Sequence, residues 1–178
     1  MTRLRTVRRA FSDPRVQRSL RRILRENVLC SISTVTGGNQ AHVNTAYFAY
    51  SPNLEFCFLS DVDSVHCRNV ERNPSMAIAI FRSAQTWGKQ NRGIQLFGVC
   101  RPASGRDAVR AESAYGKRFP AYLRYVRSTR GEDRRMGAQL RSYRFYRFVP
   151  STVKILDENE FGGGVFVVAS VRTRTRSR

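Results

Sequence analysis

The feature that most constrains this chain is a succession of strand-like segments between residues 28 and 104. Five stretches there carry the signal: "VLCSISTV" (28–35), "AHVNTAYFAYS" (41–51), "LEFCFLS" (54–60), "SMAIAIFR" (75–82) and "RGIQLFGVCRPAS" (92–104). They are rich in β-branched and aromatic residues, and they favour a period of two over a helical period. The connections are of hairpin length. "TGGNQ" is a turn in which Gly37 and Gly38 tolerate positive φ, and Pro52-Asn53 makes a second turn. One short helix-like segment, closed by Asn73-Pro74, separates the third strand from the fourth. Such a sequence of strands predicts an antiparallel barrel or sandwich.

The flanks add helices and further strands. Residues 12–26 predict a helix: Asp13 can cap it, Pro14 suits its first turn, and Val16, Leu20, Ile23 and Leu24 form one apolar stripe. Residues 105–127 predict a second helical stretch, broken at Phe119-Pro120. Residues 128–138 are polar, contain Gly131 and Gly137, and are expected to be a mobile loop. "SYRFYRFVPSTVKILD" (142–157) alternates aromatic and Arg residues, then continues as an apolar strand; a Gly-rich turn and a last strand follow. The expected organisation is one domain over 1–171, mainly β, with six or seven strands, an N-terminal helix and a helical insertion at about 105–138. Residues 172–178, "RTRTRSR", are expected to be a disordered basic tail.

The formal net charge is +19, so its location matters. Residues 26–100 hold five basic and five acidic residues, whereas residues 1–25 hold nine Arg against Asp13. The excess therefore lies on the helices and ends and leaves the strand region neutral. Arg outnumbers Lys 29 to 3, a bias that selection for positive charge alone would not produce. Nonspecific binding to polyanions at low salt is expected, and an Arg-rich nucleic-acid-associated protein is a minor reading. Cys30, Cys57, Cys67 and Cys100 share no C-x-x-C spacing, which points to small buried hydrophobes in a reducing cytoplasm and speaks against a disulfide framework or zinc site. No apolar run approaches the ~18 residues of a membrane span, and the basic N-terminus lacks an apolar core of the secretory kind.

"FLSDVDSVHCRNVERNP" (58–74) is the stretch with the most chemistry. A strand ends, and Ser60, Asp61, Ser64, His66, Arg68 and Asn69 cluster where a helix begins. Two readings stand: a plain helix start capped by Asp61, Asp63 or Ser64, or an anion site at a helix N-terminus. No G-x-G-x-x-G, Walker loop or nucleophile–base constellation of distinctive spacing occurs elsewhere.

The segment from "SISTVTGGNQ" to "RNPSMAIAI" resembles the flavin-binding split barrel of the pyridoxamine 5'-phosphate oxidase-like superfamily, and "RGIQLFG" followed by "AYGKRFP" resembles a small bacterial subgroup within it. The resemblance runs from about residue 17 to 169. It implies a homodimer with FMN in a cleft at the interface and flavin-dependent oxidoreductase chemistry on a small-molecule substrate. It implies that Asn44, Thr45, Ala46 and Tyr47 line the flavin ring, that Ser64, Val65 and His66 stand at the phosphate, and that Gln95 reaches the flavin. Trp87 and Lys89 lie in the loop before Gln95, where they could cover the site. The usual Ser-Arg-Lys pattern has become Ser64-Val65-His66. Each lost charge-assisted bond to a phosphate is worth on the order of 1.5–3 kcal/mol. That departure keeps open a non-flavin ligand on the same fold: haem, a deazaflavin or pyridoxal phosphate.

Overall fold

The computed structural model describes residues 4–171; the basic tail at 172–178 lies outside the described residues. Eight strands form one sheet: β1 (Arg5–Arg8), β2 (Leu29–Val35), β3 (Ala41–Tyr50), β4 (Phe56–Ser60), β5 (Ser75–Phe81), β6 (Arg92–Pro102), β7 (Arg144–Asp157) and β8 (Val165–Ser170). Six of them close into an antiparallel barrel in the order β7-β4-β3-β2-β5-β6, with β6 returning to β7. β7 is long enough to serve both purposes. Its first part pairs with β4 and its last part with β8, while β6 runs along most of it. β1 adds to β8 in parallel at the outer edge. All four β1 residues are exposed, so no alternation marks them, and backbone pairing alone makes them a strand.

The helices are α1 (Pro14–Glu26), α2 (Val65–Arg72), α3 (Gly105–Arg118), α4 (Pro120–Arg127), α5 (Gly131–Ser142) and the short α6 (Glu158–Phe161). Asp13 caps α1 by accepting from the Arg15 amide, Pro14 opens the helix, and Val16, Leu20, Ile23 and Leu24 are buried against the barrel. The break at Phe119-Pro120 separates α3 from α4. The loop expected at 128–138 is instead the start of α5. Gly137 is there for packing: a Cβ on it would collide with the Tyr125 carbonyl of α4. In the β2–β3 turn it is Asn39, with φ 58°, that takes the left-handed conformation, and neither Gly37 nor Gly38 does.

Two apolar clusters result. The barrel interior holds Phe48, Phe56, Phe58, Tyr146 and Phe148 with the aliphatic side chains of β2, β5 and β6. A second cluster, around Tyr115, Tyr122 and Phe145, fixes α3 and α4 against the outer side of β3 and β4 through Ala49 and Cys57. All four cysteines are free and buried. Burial pushes the Cys30 thiol up to about 12 and the Cys57 thiol up to about 11, so neither is a thiolate at neutral pH. Among the described residues no helix is long and apolar enough to cross a membrane.

Candidate functional site

β3 divides the expected site residues between two faces, because successive side chains of a strand point oppositely. Asn44 and Ala46 share the inward face with buried Phe48; Thr45 and Tyr47 point outward. The inward set meets α2. Asn44 Nδ2 donates to His66 Nδ1 at 3.2 Å, so the ring proton sits on His66 Nε2 and is donated to Ser60 Oγ at 2.8 Å. Ser64 Oγ lies 3.2 Å from the same nitrogen and 3.4 Å from Ser60 Oγ. Four expected residues, Asn44, Ser60, Ser64 and His66, thus form one network where β4 hands over to α2.

The start of α2 carries no side-chain cap. Ser64 occupies the N-cap position, yet its hydroxyl donates to the Asp61 carbonyl at 2.8 Å and does not accept from the helix. The first turn therefore presents amide donors beside the Ser60 and Ser64 hydroxyls, the arrangement that suits an anion. Charge is less favourable. His66 is 6% exposed, and burial, with a smaller contribution from His42, pulls its pKa below the ordinary histidine value. It is neutral at pH 7. Arg68 folds back to donate to the Asp63 carbonyl. Asp61 accepts from the Asp63 amide, which keeps the Asp61 carboxylate beside the loop. Asn69 is buried and donates to Thr34 Oγ1 at 3.0 Å, which ties α2 to β2 and turns its amide away from the α2 start.

The outward set lies on a second surface. Strand register aligns Thr45 with Ser31, Ser31 with Ala79, Ala79 with Gln95, and Gln95 with Lys154. Three strand spacings, about 14 Å along the curved barrel surface, lead from Thr45 to Gln95. The next row places Val43, Ser33, Ala77 and Phe97 side by side. Small side chains (Ser31, Ser33, Ala77 and Ala79) thus line the outer face of β2 and β5, flanked by exposed Val43 and Tyr47 on β3 and by Phe81 and Phe97 toward β6. Lys154 Nζ sits 4.3 Å from the centroid of the Phe166 ring at the far side. Ser31, Ser33, Ala77, Ala79 and Lys154 escaped the sequence reading. Their signal was there in "SISTV" and "SMAIAIF", where every second residue is small and polar or small and apolar.

Trp87 is 96% exposed at the tip of the β5–β6 loop and contacts neither surface closely enough to be packed. Arg118, in the helical insertion, has no carboxylate partner among the described residues. It donates to the Leu24 and Asn27 carbonyls and lies over the Phe48 and Tyr50 rings at 4.6 and 4.9 Å.

Comparison with known proteins agrees with this architecture. Among solved structures, the haem-binding protein of Mycobacterium smegmatis superimposes with a TM-score of 0.66 at 16% identity; the match covers 85% of this chain and 56% of that one. HutZ, the haem storage protein of Vibrio cholerae, gives 0.57 at 17% identity, covering 75% and 89%. A putative pyridoxamine 5'-phosphate oxidase from Listeria innocua gives 0.57 at 15% identity, covering 79% and 98%. At these identities the likeness is one of fold. No curated protein matches the sequence. The family model described as Pyridoxamine 5'-phosphate oxidase matches residues 16–156, most of the chain, and with the closed six-stranded barrel this shows that the protein belongs to the pyridoxamine 5'-phosphate oxidase family.

Proposed function

We propose that the protein is a cytoplasmic, homodimeric split barrel that binds a flat anionic cofactor, FMN in the first instance, and works as an oxidoreductase on a small molecule. The observation that carries this reading is the uncapped start of α2. Amide donors and the Ser60 and Ser64 hydroxyls converge there around His66 Nε2, while a row of small residues lines the outer face of the neighbouring strands β2 and β5. Bound FMN would supply the hydride or electron transfer. The chain's part would be to hold the ring against this row, with Thr45, Tyr47 and Gln95 around it. Ser60, Ser64 and the α2 amides would receive the phosphate. Donors and small residues fit this ligand; local charge fits it poorly, because His66 is neutral and Asp61 and Asp63 lie close by. A weak phosphate clamp, supplemented by cations of a second copy, is the consequence. The dimer itself is supported by the exposed Val43, Tyr47, Phe81, Phe97 and Val99 on the outer barrel face. Free buried thiols support a reducing cytoplasm.

Haem is the second reading. It is favoured by the lack, among the described residues, of a fixed cation facing the cluster and by His42 lying near enough to His66 to act on its charge. One experiment separates the two. The purified chain is inspected for flavin bands or a Soret band, then titrated with FMN and with hemin while its melting temperature is followed. Stabilisation by FMN supports the first reading and stabilisation by hemin alone the second. No shift with either ligand would reject both.

A further inference from the structure

We propose a second ligand site: the groove between α1 and α3 binds a single-chain amphiphile with a carboxylate or phosphate head group. The groove is open to solvent along its length and offers about 910 Å³, within the range of small-molecule sites. Its walls are two helical stripes. α1 presents Gln17, then Leu20 and Arg21, then Leu24 and Arg25; α3 presents Val109 and Arg110, then Ser113 and Ala114, then Lys117 and Arg118. Residues 17 to 25 span about 12 Å at helical rise, so the groove is elongated. Its floor is the β3–β4 corner, with Ala49, Tyr50 and Leu54.

Charge sets the orientation of the occupant. Among the described residues no carboxylate lines the groove, although five cations do. Arg110 shares Asp107 at 3.4 Å, but Arg21, Arg25 and Lys117 have no acidic partner among the described residues. Three of the five, Arg25, Lys117 and Arg118, gather at the shared C-terminal end of the two helices. Arg118 closes that end by bridging to the Leu24 and Asn27 carbonyls, and its Nε is buried without a hydrogen-bond partner. The opposite end carries Phe11 and Val109, which is 68% exposed, beside Arg110, whose charge is shared with Asp107. A head group fits among Arg21, Arg25 and Lys117, and a chain fits toward Phe11 and Val109. An exposed apolar residue opposite unpaired cations is the complement of such a molecule.

The test is a fluorescence titration of the full chain with dansylaminoundecanoate, followed by competition. Laurate and dodecyl phosphate should displace the probe, and the stronger of the two identifies the head group. Dodecanol should be about tenfold weaker or worse, equivalent to about 1.4 kcal/mol. Inorganic phosphate should not compete. Arg25→Gln combined with Lys117→Gln should weaken the probe about tenfold. Ser113→Trp, at an exposed position, should fill the groove and weaken it at least as much. Equal competition by dodecanol, displacement by inorganic phosphate, or a folded Ser113→Trp that binds as before would each overturn the proposal. So would binding seen only with anionic vesicles. If Ser113→Trp fails to fold, the double Gln variant and the competitor series still decide.

Discussion

Val65→Arg is the most direct perturbation of the candidate phosphate end. Val65 is the first residue of α2 and 42% exposed, so a longer side chain can be accommodated toward solvent with little change in stability, within about 0.5 kcal/mol. The variant adds a permanent cation where the wild type has only neutral His66 and hydroxyl donors. A charge-assisted bond to phosphate contributes about 1.5–3 kcal/mol, and solvent screening at this partly exposed position lowers it to about 1–1.5 kcal/mol. At about 1.4 kcal/mol per decade, FMN should bind roughly five- to twelvefold more tightly. His66→Ala should do the reverse. It removes the Nε2 donor and leaves Asn44 Nδ2 and Ser60 Oγ without a shared partner, which weakens FMN by about fivefold for a neutral bond of about 1 kcal/mol. The assay is quenching of flavin emission at constant low ionic strength, because the added charge acts partly through solvent. Arg68→Ala is the control and should change little, since Arg68 already donates to the Asp63 carbonyl. Unchanged FMN affinity in both Val65→Arg and His66→Ala would refute the reasoning and reduce the α2 start to a structural corner.

Three further outcomes are expected. His66 is held neutral in the fold, so below the ordinary histidine value of 6.5 the unfolded chain takes up a proton that the folded chain does not. Stability is thus fully present above pH 6.5 and falls as pH drops below it; melting temperatures from pH 7.5 to 5.5 should decline more steeply in wild type than in His66→Gln, and parallel curves would contradict this. At Gly98, where register shifts between β6 and β7, an added Cβ would fall inside the Val149 carbonyl, so Gly98→Ala should cost more than about 2 kcal/mol in urea unfolding, whereas an unchanged midpoint would show that the barrel relaxes freely there. Asp157 is fully buried and accepts from Ser19 Oγ at 2.7 Å and from Arg22; Asp157→Ala should cost about 3 kcal/mol by stranding both, measured by the same unfolding curve.

Much of the fold was legible because the barrel strands are half-buried and advertise a period of two. "SMAIAIF" is the clearest case: Met76, Ile78 and Ile80 are inside, and Ser75, Ala77 and Ala79 are outside. The Asp13-Pro14 start of α1 was legible for a local reason, since its cap bond runs only two residues forward. What failed was tertiary. Gly131 and Gly137 look like loop residues in isolation, yet Gly137 is the point where α5 lies against the α4 backbone. The site shows the same division. Its members Ser60, Ser64 and His66 could be named from their place where the third strand-like segment hands over to a helix, and Asn44 from the resemblance of the second segment to the split-barrel family. That Asn44 and Thr45 face opposite ways was implicit in strand geometry. The protonation of His66 was not, because it depends on burial that only α2 packing on the barrel creates.

This division bears on how a ligand could be held at all. One cluster closes the inner, α2-covered end of β3, and the other lies on the outer face of the same strand. A ligand reaching both must turn around the end of β4, where Ser60 is the last strand residue and Ser64 the first of the helix start. That corner supplies hydroxyls and amides but, among the described residues, no fixed cation aimed outward. The cations of this chain are concentrated on the helices instead, while residues 26–100 carry no net charge. A second copy seated on the exposed Phe81, Phe97 and Val99 would cover that outer face and could bring such cations to it. Dimerisation and affinity for an anionic cofactor should therefore be lost together: Phe97→Glu, at an exposed outer position, should yield a folded monomer on size-exclusion chromatography with light scattering and abolish cofactor stabilisation. A folded monomer that still binds as tightly as the wild type would show that one barrel suffices.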